Sequence, residues 1–134
     1  MREAGRVVGQ TLEKLVEATK PGVVLKDLDK LVRKEYARLG VIPTFLGYSH
    51  PPYPATVCIS VNEELVHGIP GNRVVKAGDL VTIDLGATYK GFVGDSAVTI
   101  VVGEPSDEQQ KLMDVTRESL WRGIRAAKAG VRLG

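Results

Sequence analysis

The feature that most constrains this chain is a pair of long extended runs joined by a turn. Leu80 to Ala87 and Phe92 to Val102 flank a short connection containing Lys90-Gly91, and the Lys76-Ala77-Gly78-Asp79 turn leads into them, so they form a β-hairpin. Each arm carries an aspartate, Asp84 in the first and Asp95 in the second. With the turn centred on Tyr89-Lys90, the two stand directly opposite each other on one face, with β-carbons about 4.5–5.5 Å apart. Two negative charges about 4 Å apart repel by about 4 kcal/mol at an effective dielectric near 20, so such a hairpin calls for something positive between them. Carboxylate oxygens that close together can share a divalent ion at about 2.0–2.2 Å. A solvated hairpin face, displaced in register by one or two positions, would carry the same residues and bind nothing. Paired carboxylates with a later imidazole suit manganese, iron, cobalt or zinc better than calcium.

Helices precede this hairpin. From about Arg2 to Ala18 the spacing of Val8, Leu12, Leu15 and Val16 is helical, and Lys20-Pro21-Gly22 ends the run. A second helix follows Asp27, with Leu28, Leu31, Val32, Tyr36 and Leu39 on one face and Gly40 as its stop. Another hairpin is expected between Thr56–Val61 and Leu65–Ile69, with Asn62 and Glu63 in the turn. Ser106, with Gln109 three residues on, announces a third helix that passes Leu112, Val115, Ile124 and Ala127 and stops at Gly130. Helices, then antiparallel strands, then a helix define an α+β class.

Composition matters here for what it excludes. At 134 residues and 43% apolar, the chain can bury a core without staples, and its lone cysteine, Cys58, cannot close an intrachain disulfide. The net charge of +2 is spread without a basic block, which argues against nucleic acid. No apolar run reaches the roughly 18 residues that span a bilayer, and Met1 to Arg6 is too polar for a secretory signal. The expected compartment is the cytoplasm, with no membrane partner.

His67 follows a strand and precedes Gly68-Ile69-Pro70, a place from which an imidazole reaches a cleft and can hydrogen-bond an amide or move a proton; a plain surface or core histidine would sit there equally well. A further pattern links the two ends. Ala18 to Leu25 recurs as Ala126 to Leu133, sharing Ala, Lys, Gly, Val and Leu in order. An internal duplication of this kind implies that about another hundred residues complete a second copy; chance similarity over so short a stretch competes with it.

Two segments carry a closer resemblance: VCISVNEELVHGIP, from Val57 to Pro70, and GDLVTIDLGATYKGFVGDSA, from Gly78 to Ala97. Both closely resemble the type I, bacterial methionine aminopeptidases, in order from MREAGR to AGVRLG across the whole chain. The resemblance implies half of the pseudo-twofold pita-bread fold, an antiparallel sheet with helices on one face, so that residues 1–134 form the amino-terminal half of a catalytic domain. It implies removal of initiator methionine from nascent polypeptides, near the ribosome, when the next residue is small. Two divalent ions, cobalt, manganese, iron or zinc, would activate the attacking water. By resemblance Asp84 chelates one metal, Asp95 bridges both, and His67 contacts substrate beside the scissile amide. Phe45, Tyr48, Tyr53 and Cys58 match positions around the methionine side chain, with the Tyr48–Tyr53 loop longer than in some relatives and Phe45 where several have cysteine. Ordinary packing also explains Cys58 and the tyrosines.

The departure is in the ligands. The family draws one histidine and two glutamates from the second half of its fold, whereas this sequence has no histidine after Asp95, and Glu104, Glu108 and Glu118 lie at or near the third helix. Both ends therefore read as cuts from a longer coding region. The competing expectation is a truncated, inactive fragment, or a non-catalytic peptide- or partner-binding module.

Overall fold

The computed structural model describes Met1–Arg132; Leu133, the last matching position of the sequence repeat, lies outside the described residues. Two compact units are present, Met1–Gly103 and a second beginning at Glu104. The first contains α1 (Arg2–Ala18), α2 (Leu25–Leu39), β1 (Ile42–Pro43), β2 (Cys58–Val61), β3 (Leu80–Tyr89) and β4 (Phe92–Val101). The second contains α3 (Asp107–Ala126).

Strand β3 is the spine of the first unit. Along one edge it pairs antiparallel with β4 over its full length, and along the other it pairs with β2 and then β1. Val81, Ile83, Leu85 and Ala87 alternate onto one face and are fully buried. Against that face α1 and α2 lay Val8, Leu12, Leu15, Leu28, Val32 and Tyr36 to complete the core. Helices thus cover one side of an antiparallel sheet, as expected. Helix α2 ends where Gly40 adopts φ 63, the left-handed cap that glycine takes without strain.

Two expectations are corrected. Leu65–Ile69 does not pair with β2 as a strand; one rung survives, the Ile59 amide donating to the Gly68 carbonyl at 2.8 Å. The reason lies on the outer edge of β2, opposite the one paired with Val81–Asp84: the Val61 amide donates to the Glu64 side chain at 2.9 Å and the Gly68 amide to the Ser60 hydroxyl at 3.1 Å, so side chains take the groups a second rung would need. The second correction concerns the β3–β4 register. Lys90 and Gly91 form a two-residue turn with φ of 51 and 79, and Tyr89 pairs with Phe92, so Asp95 faces Gly86 and Asp84 faces Ala97. Positive φ at both turn residues matches the strand twist, and it moves the turn centre one residue beyond Tyr89-Lys90.

In the second unit, the Ser106 hydroxyl accepts from the Gln109 amide while the Gln109 side chain accepts from the Ser106 amide, the expected capping box. Helix α3 ends at Ala126, and Gly130, with φ 83, lies in the turn beyond it.

Candidate metal centre

The face of the sheet away from α1 and α2 is polar. Asp84 and Asp95 both project from it, because the register differs from the expected one by an even number of positions and parity is kept. They are diagonal neighbours and not directly opposed, and their carboxyls are in hydrogen-bonding contact. Burial first, then the Asp95 charge and that hydrogen bond, hold the Asp84 carboxyl above its ordinary range; the nearby His67 pulls the other way. Like-charged oxygens pressed together in this way form a donor set that a divalent cation would relieve, so the residues present fit such an ion. Among the described residues, no three His, Cys, Asp or Glu side chains converge as a ligand set.

Around the pair stand other expected residues. Cys58 is the β2 partner of Asp84, buried, with its thiol pushed up by burial and in contact with the Tyr53 hydroxyl. That hydroxyl faces the Gly68 carbonyl at 2.9 Å and the Val57 carbonyl at 3.2 Å, and burial raises its pKa. The Phe45 ring lies over Gly86, where a β-carbon would meet its Cε1 at 2.7 Å. His67 is exposed and holds φ 58, a left-handed conformation uncommon for a side-chain-bearing residue. Tyr48 is exposed on the loop, bonded by its backbone to Phe45 and Tyr53. Phe45, Tyr53, Cys58, Asp84 and Asp95 thus gather around one patch, with His67 beside it, and Tyr48 is the member left outside that group.

Sequence reasoning missed several neighbours. Tyr36, taken only as part of an apolar stripe, donates its hydroxyl to the Gly86 carbonyl at 3.3 Å; a tyrosine among leucines signals such a partner. The hydroxyl pairs Thr82–Thr99 and Thr44–Thr88, at 2.8 and 2.9 Å, flank the aspartates and follow only from the correct register. Asp29 was missed too, although a carboxylate in line with Val32 and Tyr36 on a buried helical face signals a partner.

Comparison with known proteins gives a consistent result. The profile described as Metallopeptidase family M24 matches residues 1–134. Methionine aminopeptidase 1 of Bacillus subtilis is 50% identical over 133 residues, covering 99% of this chain and 53% of the relative. Methionine aminopeptidase of Aquifex aeolicus is 45% identical, covering 100% and 54%. The crystal structure of methionine aminopeptidase from Thermotoga maritima superposes with a TM-score of 0.93 at 42% identity, covering 100% of this chain and 53% of that one. The chain spans about half the length of the curated relatives it matches.

Proposed function

The chain belongs to metallopeptidase family M24, and on that premise we propose that it supplies part of the metal and substrate site of a methionine aminopeptidase, a longer enzyme that removes initiator methionine. The supporting observation is the convergence of Asp84 and Asp95 on one face of the β3–β4 ladder. Asp84 and Asp95 would hold divalent metal, two ions in the complete enzyme, drawn from cobalt, manganese, iron or zinc. When bound, such an ion polarises the scissile carbonyl and acidifies the attacking water. His67, at the rim beside Asp84, would orient the amide of the substrate. Phe45, Tyr53 and Cys58 make an apolar wall beside the carboxylates that suits a thioether side chain, and Tyr48, exposed on the neighbouring loop, would meet substrate only from outside that wall. The substrate is then a nascent chain whose amino-terminal methionine precedes a small residue, met in the cytoplasm near the ribosome. Residues 1–134 would form the amino-terminal half of the catalytic domain.

A second reading, an inactive or purely binding module, is favoured by the ligand count: two carboxylates alone hold a divalent ion weakly. Calorimetric titration with manganese tests the assignment. Weak binding is expected, lost in the Asp84→Asn, Asp95→Asn double variant, together with no methionine release by the 134 residues alone. Binding that survives in the double variant overturns the metal assignment. Brisk release by the isolated chain would instead overturn the partial-site reading and point to two copies sharing one site.

A further inference from the structure

A carboxylate on the core-facing side of a helix must find donors, because burying it unpaired is expensive. Asp29 of α2, 9% exposed, finds three. One carboxylate oxygen accepts from the Thr56 amide at 2.7 Å and the Thr56 hydroxyl at 2.6 Å. The other accepts from Arg33 Nε at 2.7 Å, and Arg33 Nη2 donates in turn to the Pro54 carbonyl at 3.1 Å. One turn of α2 therefore grips both ends of the span Pro54–Thr56.

The next residue toward the amino terminus is Tyr53, and the grip is handed on through it. Its backbone closes the loop from 47 to 53, with the Gly47 amide on the Tyr53 carbonyl and the Tyr53 amide on the Tyr48 carbonyl, both at 2.8 Å. Its hydroxyl covers the Cys58 thiol and faces the Gly68 carbonyl. Gly68, tied also to Ile59 and to the Ser60 hydroxyl, is the neighbour of His67 in its left-handed conformation.

We propose that Asp29, together with Arg33, is a positioning residue: from the helix-covered side it fixes Tyr53 and, through the Gly68 backbone, His67. This deepens the functional reading above and rests on its assignment of those two residues to the substrate wall. No other part of α2 ties the segment from 53 to 57 by side-chain hydrogen bonds among the described residues.

The lone cysteine supplies the probe. Cys58 is 5% exposed beneath Tyr53, so its labelling rate by a small aromatic disulfide reagent reports how often that wall opens. In Asp29→Asn one of the two acceptor oxygens becomes an NH2 donor, so the side chain can serve Thr56 or Arg33 but not both, and the grip is broken at one end. Labelling should accelerate by roughly tenfold or more, and the imidazole resonances of His67 should shift, under conditions where circular dichroism shows a folded chain. Leu28→Ala, a core truncation on the same helix that leaves the grip intact, serves as the stability-matched control and should move neither readout. If Asp29→Asn does not fold, Arg33→Ala, which releases only Pro54, is read the same way. Unchanged labelling and unchanged His67 resonances overturn the proposal, as do equal changes in Leu28→Ala at the same folded fraction. Neither measurement depends on metal or turnover, so its failure is separable from failure of the manganese titration.

Discussion

At the scale of single residues, Gly68 is the glycine with the least room for a side chain among the described residues. A β-carbon there would stand 2.2 Å from the Ile59 carbonyl oxygen and 2.8 Å from its carbon, both backbone atoms of the buried strand β2, which β3 holds in place. Gly68→Ala should therefore cost about 3 kcal/mol in urea unfolding, at the upper end of what overpacking does, and should disturb His67 next door. Asp29 makes a second prediction. Burial alone would raise its carboxyl, but hydrogen bonds from Thr56 and Arg33 outweigh this and hold it below its ordinary value of 3.8. A group depressed in the folded state contributes stability that is fully present above the unfolded value and lost as pH falls through the folded one. The urea midpoint should accordingly fall as pH drops below about 4, and the fall should be shallower in Asp29→Asn. Glu35, held at about 2 chiefly by Arg38 and Lys14, adds to the fall in the same sense, as do Asp27 and Asp79, whose carboxyls are also held below their ordinary range, so a slope survives the substitution. Residue identities alone placed carboxylates, imidazole and thiol along the chain but did not show that Asp29 is a buried grip, because its partner Thr56, like the Pro54 carbonyl that accepts from Arg33, lies far along the chain.

At the scale of elements, helix α1 meets strand β4 through Gly94. A β-carbon at 94 would sit 2.6 Å from the Gly5 nitrogen and 2.7 Å from the Ala4 carbonyl carbon, so Gly94→Ala must lift the helix from the sheet, at about 1–3 kcal/mol. Gly5 lies on the same helix, but a β-carbon there would meet nothing within 4 Å. Gly5→Ala should stabilise by about 0.5–1 kcal/mol through helix propensity, and thermal melts of the two variants should move in opposite directions. Periodicity located α1, α2 and α3, and the capping box located the start of α3, since these signals are local. The β3–β4 hairpin was legible for the same reason. Its register was not, because one residue in the turn decides it; the aspartates kept their common face only because the difference was even. The hairpin expected after β2 gave way to side chains: Glu64 takes the Val61 amide and Ser60 the Gly68 amide, and the Ile59–Gly68 rung is what remains on that edge of β2.

At the scale of the whole molecule, every residue of the hydrophobic core from Val7 to Val102 belongs to the first unit. Removing the chain beyond Gly103 should leave a cooperative melt, with a midpoint lowered by no more than about 4 °C, because the core residues from Val7 to Val102 are all retained. A broad, non-cooperative melt would show that the second unit is needed for the first to fold. Sequence alone determined the α+β class, the family resemblance now matched over residues 1–134, and the presence of two aspartates on one face of a hairpin, since each follows from local spacing or strand parity. Tertiary structure decided which strands β3 would accept, the diagonal placement of Asp84 and Asp95, and the line of contacts from Asp29 through Tyr53 to the neighbour of His67. Backbone hydrogen bonds are nearly blind to side-chain identity, so which edges and loops they join is settled only when the chain is packed.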